Sequence, residues 1–168
     1  MDNIERFYKL KSISLLVDHL RQKIQSAIES NWATSYGLTS LFLKEEDFIA
    51  DPKITSIIQK FSCYPRLSIK RTDPFSCYVW HRDANRNASI NMLIDGYDSS
   101  SLFGKMISFN WFHNLEVLPY EPARYYLMDV TQHHTVINLN NYRYVLTIGF
   151  HPPTTYNDVK MFILENDL

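Results

Sequence analysis

Two segments in the first third of the chain have apolar residues at helical spacing. In residues 13–30, ISLLVDHLRQKIQSAIES, the apolar side chains form one stripe and the charges lie elsewhere. Residues 51–62 predict a second helix, with Pro52 in its first turn. A short strand is predicted between them at 38–44. Residues 1–61 are therefore interpreted as a helical N-terminal support, in which no family motif is recognised.

The pattern changes from residue 63 onward, where short, often alternating segments are separated by turn residues such as Asp95-Gly96. These segments predict seven or eight strands, at 66–71, 78–83, 87–94, 102–112, 123–130, 133–138 and 142–150. Many short strands after two helices predict a mainly β fold with flanking α-helices, built on a sandwich or jelly roll over 62–150. Residues 151–168 are left as a C-terminal tail. The whole chain, 1–168, is expected to form a single domain.

Composition and charge narrow the function classes. The 168 residues are 45% hydrophobic and 14% aromatic, which is typical of a globular protein. The net charge of -1 includes no long run of one sign, so no nucleic-acid partner is expected. No stretch has the length of a membrane span, and the polar N-terminus does not look like a signal peptide. Two cysteines, Cys63 and Cys77, do not make a disulfide framework and are expected to be reduced and partly buried. We expect a soluble, cytoplasmic protein.

A histidine and an aspartate lie two residues apart in the strand-like segment WHRD. Residues i and i+2 of a strand point to the same face, so His81 and Asp83 project together while Arg82 points away. A bare His-x-Asp is compatible with an ordinary surface pair beside a turn. The surface pair is favoured from this spacing alone, although the same geometry also suits two metal ligands.

The downstream segment 134–148, HTVINLNNYRYVLTI, adds a histidine and an arginine. If its middle residues form a tight hairpin connection, His134 lies opposite Thr147 and Asn138 lies opposite Arg143. His134 and Arg143 then share one face, with their backbones roughly 13 Å apart along the sheet. An inward-facing arginine needs an anionic partner, and no acidic residue of this hairpin faces it. The gap therefore suits a metal on the histidine and a short dicarboxylate that reaches the arginine.

Two histidines, one carboxylate and open positions make up the facial triad of non-haem Fe(II) oxygenases. The pattern H-x-D…H-x-V-x-N…R, here His81, Asp83, His134, Asn138 and Arg143, resembles the Fe(II)/2-oxoglutarate-dependent dioxygenases. The sequence around the first ligands is similar to the prolyl-hydroxylase-like and aspartyl/asparaginyl-hydroxylase-like members. The resemblance covers about residues 62–150 and implies a double-stranded β-helix (jelly-roll, cupin-like) core.

The resemblance also implies a reaction and a set of site residues. His81, Asp83 and His134 would be the catalytic Fe(II) ligands, and Arg143 would pair with the distal carboxylate of the cosubstrate 2-oxoglutarate. With O2, and with ascorbate as a stimulant, the enzyme would hydroxylate an unactivated C–H bond of a small-molecule or peptidyl substrate and release succinate and CO2. His133 competes for the third ligand position, but its side chain points to the face opposite His134.

Several assignments stay open at this level. Asn91 shares a strand face with Ser89 and is predicted to bind the cosubstrate, although an ordinary strand polar residue fits the pattern equally well. Arg86 follows the turn, and a solvated loop arginine is favoured over a substrate contact. The alternative functions are a cupin-type metalloprotein, which has no need for Arg143 at that position, and a non-catalytic jelly-roll binding module.

Overall fold

The computed structural model describes residues 5–35, 38–61, 67–96, 100–108 and 111–168. The chain forms two antiparallel sheets with helices on one side. The strands are β1 Phe7–Ile13, β2 Trp32–Ser35, β3 Leu38–Phe42, β4 Leu67–Thr72, β5 Ser76–Cys77, β6 Ala88–Asp95, β7 Ser100–Ser108, β8 Trp111–Leu118, β9 Arg124–Met128, β10 His134–Asn138 and β11 Arg143–Phe150. The α-helices are α1 Val17–Ser26, α2 Pro52–Phe61 and α3 Tyr156–Glu165, and short 3-10 helices span Glu29–Asn31 and Glu45–Phe48.

The larger sheet has the strand order β1-β9-β6-β11-β4-β3-β2 and the smaller one β5-β10-β7-β8. Within residues 67–150 the successive strands are divided between the two sheets, which gives the predicted double-stranded β-helix. The segment 1–61 adds three strands to the larger sheet as well as two α-helices. The N-terminal support therefore contributes strands to the larger sheet in addition to its helices.

The outer face of the larger sheet carries the main core. Ile90, Met92 and Ile94 of β6 are fully buried in one cluster with Leu20 of α1 and Ile57 of α2. Alternate residues of β6 face the second sheet, so this strand is covered on both sides. The expected packing of the first helix against an apolar outer face is confirmed. The inner face is left to carry the polar site.

The first helix is shorter than its apolar stripe suggests. Ile13 ends β1 opposite Arg124, and the N–H of Ser14 donates to the carbonyl of Ala123 at 2.8 Å. Strand pairing therefore takes the first residues of the predicted 13–30 helix. At the other end the backbone is extended at Ala27. Tertiary pairing has overridden a local helical preference.

The C-terminal segment 151–168 is not simply a tail, because it contains α3. Thr155 caps this helix: its hydroxyl accepts the N–H of Asp158 at 3.2 Å, and the Asp158 carboxylate accepts the N–H of Thr155 at 2.8 Å. Val159 and Ile163 are buried in the main core.

None of the described helices is long and apolar enough to cross a membrane. Cys77 is exposed rather than partly buried, and Cys63 lies outside the described residues.

The predicted hairpin between β10 and β11 is wrong. β10 pairs with β5 and β7, whereas β11 pairs with β4 and β6, so the connection crosses from one sheet to the other. The buried amide of Asn138 holds this crossover by donating to the carbonyls of Thr72 at 3.1 Å, Asp73 at 2.7 Å and Asn141 at 2.8 Å. Asn138 therefore does not lie opposite Arg143 in a ladder. The two strands face each other across the gap between the sheets.

Candidate metal centre and cosubstrate pocket

The two candidate histidine ligands are placed by one backbone bridge. The N–H of His81 donates to the carbonyl of His134 at 3.0 Å, and the N–H of His134 donates to that of His81 at 2.9 Å. Directly opposed residues of an antiparallel pair project to the same face. Their rings accordingly lie 4.2 Å apart, centroid to centroid. Asp83 is held beside them because its N–H donates to the carbonyl of Val130 at 3.0 Å.

His81, Asp83 and His134 each offer a ligand atom, and these atoms lie within 4.8 Å of one another. The Nδ1 atoms of His81 and His134 lie 2.8 Å and 2.9 Å from the carbonyls of Val79 and Gln132. Each Nδ1 therefore carries the proton and donates, which leaves Nε2 with a free lone pair. The Nε2 of His81 is 3.7 Å from Oδ1 of Asp83. This donor set fits a divalent first-row metal.

Burial favours the neutral form of His134 that a metal requires. Loss of solvent lowers the pKa of His134 to about 4, and the neighbouring His81 acts in the same direction. The carbonyl of Gln132 and the carboxylate of Asp83 oppose this shift without cancelling it. An imidazole that is neutral at pH 7 binds a cation without first losing a proton.

His133, the competitor for the third ligand position, is half-buried and lies outside the triad. Burial lowers its pKa, as do the nearby charges of Arg82 and His81. The expectation that Arg82 points away from the site agrees with its exposure.

Arg86 has a different environment from the one expected of a solvated loop residue. Its side chain is 19% exposed, and its Nη2 lies 2.7 Å from Oδ2 of Asp83. The contact is an ion pair without hydrogen-bond alignment. Arg86 is therefore in direct contact with the candidate metal cluster.

Arg143 lines the same pocket as His81 and His134, on the inner face of the larger sheet. It is only 4% exposed, and burial lowers its pKa. Its Nη2 donates to the hydroxyls of Ser101 at 3.0 Å and Tyr120 at 3.4 Å. Its Nε has no partner, and no carboxylate of the described residues forms an ion pair with it. A buried guanidinium held only by neutral groups is suited to an incoming anion.

Ser101 and Tyr120 were missed at the sequence level. Ser101 is the second residue of β7, and Tyr120 follows β8 with its ring 5.5 Å from the guanidinium of Arg143. Neither has a local signal, since both meet Arg143 only through the packing of the two sheets. A buried arginine with no acidic partner nearby in sequence is the only hint that such neutral donors and acceptors are needed.

Asn91 also lines the pocket, together with Ser89. Its Nδ2 is 3.0 Å from Sδ of Met128, a weak acceptor, and its Oδ1 is buried without a partner. A larger surface groove between α2 and α3, lined by Phe61, Met161 and Phe162 among others, contains no triad residue. The candidate site is therefore the pocket between the two sheets.

No family model matches the chain, and no curated protein does. Solved structures do match. A prolyl-4-hydroxylase from Pseudomonas putida superposes with a TM-score of 0.63 at 11% identity, covering 90% of this chain and 95% of its own. This chain has the 2-oxoglutarate–Fe(II) oxygenase fold.

Two further structures share the oxygenase fold. A Trichoplax adhaerens prolyl hydroxylase, in complex with a peptide of the hypoxia inducible factor oxygen degradation domain, matches with a TM-score of 0.58 at 12% identity over 95% of this chain and 88% of its own. HygX from Streptomyces hygroscopicus, with nickel, 2-oxoglutarate and hygromycin B bound, matches with a TM-score of 0.58 at 9% identity over 88% of this chain and 83% of its own.

Proposed function

We propose that this protein is an Fe(II)- and 2-oxoglutarate-dependent oxygenase that hydroxylates an unactivated C–H bond. The substrate C–H, O2 and 2-oxoglutarate would yield substrate C–OH, succinate and CO2. The observation that carries the proposal is the pairing of two features in one pocket of the oxygenase fold. These features are the cluster of His81, Asp83 and His134, whose two histidines line the pocket, and a buried Arg143 with no carboxylate partner among the described residues.

The protein's own residues would hold both reactants. His81 and His134 would bind the metal through Nε2, and Asp83 through Oδ1. When bound, Fe(II) supplies the redox chemistry that activates O2. Three protein donors on one face leave the opposite positions open for a chelating cosubstrate and for oxygen.

Arg143 would bind the distal carboxylate of 2-oxoglutarate through two parallel N–H donors. Its Nε is buried without a partner and is therefore ready to donate. The hydroxyls of Ser101 and Tyr120 are within hydrogen-bond distance of the same guanidinium and would orient it. Asn91, whose amide oxygen is buried and unpaired, is proposed as a further cosubstrate contact.

The substrate is proposed to be a peptidyl side chain or a small molecule. The structural neighbours include one protein with a peptide and one with hygromycin B. The exposed side chain of Val79 and the half-buried ring of Tyr78 lie next to the triad and would border the entrance for such a substrate.

An anaerobic titration of the full chain with Fe(II) and 2-oxoglutarate tests the proposal. We expect a weak visible charge-transfer band that appears only when both are present, and succinate formation when O2 and ascorbate are then admitted. Arg143→Met is the matched control. It leaves all three metal ligands in place, so it should still bind Fe(II) while its binding of 2-oxoglutarate is weakened. If wild type binds Fe(II) but shows neither the band nor succinate, a cupin-type metalloprotein is the better assignment. A chain that binds no metal would instead be a binding module.

A further inference from the structure

The two oxygens of the Asp83 carboxylate face different partners. Oδ1 points to the metal side, 3.7 Å from Nε2 of His81, whereas Oδ2 lies 2.7 Å from Nη2 of Arg86. Both side chains are largely buried, at 11% and 19% exposure, so solvent screens this ion pair only in part. Arg86 thereby occupies the oxygen that a metal would otherwise share.

The loop that carries Arg86 is anchored on both sides. The N–H of Asp83 bonds to Val130, and the N–H of Asn87 donates to the carbonyl of Phe150 at 2.9 Å. The amide side chain of Asn87 donates to the carbonyl of Thr154 at 3.0 Å. The backbone on either side of Arg86 is therefore tied to neighbouring segments, and the guanidinium is presented from a fixed position.

Gly149 provides the space in which Arg86 lies. A Cβ atom added at Gly149 would come within 2.8 Å of Cδ of Arg86. Real Cβ contacts are longer than this, so any side chain at residue 149 would push Arg86 aside. The obstructing atom belongs to a flexible side chain, which means that the displacement would cost the fold little.

We propose that Arg86 is a positioning residue that restricts Asp83 to a single metal-ligating oxygen, an inference that rests on the proposed Fe(II) site. An octahedral metal with three protein donors keeps three open positions, and these suffice for a chelating 2-oxoglutarate and O2. A carboxylate that bound through both oxygens would take one of them. The Arg86–Asp83 pair keeps that position open.

The test uses the full chain loaded with Co(II), whose visible spectrum reports the number and kind of ligands. We compare Arg86→Ala, Arg86→Lys and Gly149→Ala with wild type, and we use Arg82→Ala as the matched control because Arg82 is a neighbouring exposed arginine. Gly149→Ala displaces Arg86 without altering it, so it also covers the case in which Arg86→Ala fails to fold.

Before 2-oxoglutarate is added, we expect a changed Co(II) spectrum in Arg86→Ala and Gly149→Ala, a smaller change in Arg86→Lys, and none in Arg82→Ala. The affinity of the Co(II) protein for 2-oxoglutarate should then fall by about tenfold or more in the first two variants. Wild-type spectra in both would overturn the proposal. The proposal would also be overturned if the two variants bound 2-oxoglutarate more weakly but kept the wild-type Co(II) spectrum, because Arg86 would then bind 2-oxoglutarate directly. If wild type shows no Co(II) bands that His81→Ala removes, the metal site itself is wrong.

Discussion

His81 and His134 are directly opposed and bonded to each other through their backbones, with N–H to carbonyl distances of 3.0 and 2.9 Å. Both hydrogen bonds of this bridge are made by backbone atoms, so the bridge positions the two imidazole rings without needing any contact from them. The backbone pairing at this site should therefore form even when a ligand side chain is absent. A side chain can be removed while the strand pairing that positions its neighbour is retained.

Removing the side chain of His81 or of Asp83 should abolish the reaction while the protein still folds. For His81→Ala and Asp83→Ala we expect Fe(II) affinity to fall at least tenfold and 2-oxoglutarate decarboxylation to be lost. The His81 side chain is 28% exposed, so its loss should cost little stability, whereas loss of the 11% exposed Asp83 leaves Arg86 without its ion-pair partner and should lower the melting temperature more. Metal titration, succinate formation and thermal unfolding measure the three quantities. His133→Ala is the control that should keep activity, and unchanged turnover in His81→Ala or Asp83→Ala would remove those ligands from the assignment.

Arg143 should control cosubstrate affinity without affecting the metal. Arg143→Ala is expected to weaken 2-oxoglutarate by roughly 2–4 kcal/mol, because a buried, charge-assisted contact is lost. Arg143→Lys should recover only part of this, since an ammonium cannot reproduce a two-pronged contact. The dependence of succinate formation on 2-oxoglutarate concentration gives the affinities. Equal values in all three proteins would contradict the cosubstrate role.

The positive charge of Arg143 should not contribute to the stability of the fold when no cosubstrate is bound. Arg143 is only 4% exposed, so its charged form is desolvated, which lowers its pKa, and no carboxylate of the described residues compensates the charge. Arg143→Met should therefore leave the free energy of unfolding unchanged or raise it by about 1 kcal/mol or more. 2-Oxoglutarate with Mn(II) should raise the melting temperature of wild type but not of the variant. A large destabilisation without ligand would show that Arg143 is instead a structural residue.

Gly96 supports the strand that begins with Arg143. It has φ +86°, and an added Cβ would lie 2.7 Å from Cα of Arg143. Gly96→Ala should lower the free energy of unfolding by about 1–3 kcal/mol, because both the backbone conformation and the contact are unfavourable. It should also weaken 2-oxoglutarate by displacing Arg143. Chemical denaturation and a cosubstrate titration test this, with Gly149→Ala as a comparison that should change stability less.

Acid should weaken the contact between α1 and the second 3-10 helix. Burial raises the pKa of Asp47, but hydrogen bonds from Lys23 and the N–H of Lys44 outweigh it and leave the pKa below its ordinary value of 3.8. A depressed carboxyl pKa stabilises the fold above the unfolded pKa, and this stabilisation is lost as the pH falls below it. Asp47→Asn should therefore cost about 1 kcal/mol at pH 7 and progressively less below pH 4. Denaturation curves of wild type and Asp47→Asn at pH 7 and below pH 4 measure this loss. An equal loss in free energy of unfolding at the two pH values would contradict the prediction.

The sequence alone determined the features that depend on local periodicity. The i and i+2 spacing predicted that His81 and Asp83 lie together, which the structure shows although only His81 of the predicted strand 78–83 forms a β-bridge. The inner and outer alternation of β6 separated Asn91 from Ile90 and Met92. The helical stripe and Pro52 predicted α2 to within a residue. These relations hold wherever the segment ends up, because side-chain direction follows from the backbone of a few residues.

Only the tertiary structure decided which strands are neighbours. β10 and β11 have the same alternation whether they form a hairpin or belong to opposite sheets, and the crossover is held by Asn138 through carbonyls distant in sequence. The Arg86–Asp83 ion pair is local in sequence, but it requires the space left at Gly149. Ser101 and Tyr120 reach Arg143 for a related reason, since their contact exists only after both sheets have formed. Periodicity specifies the face of a residue, whereas its partner across the core depends on long-range packing that a local pattern does not contain.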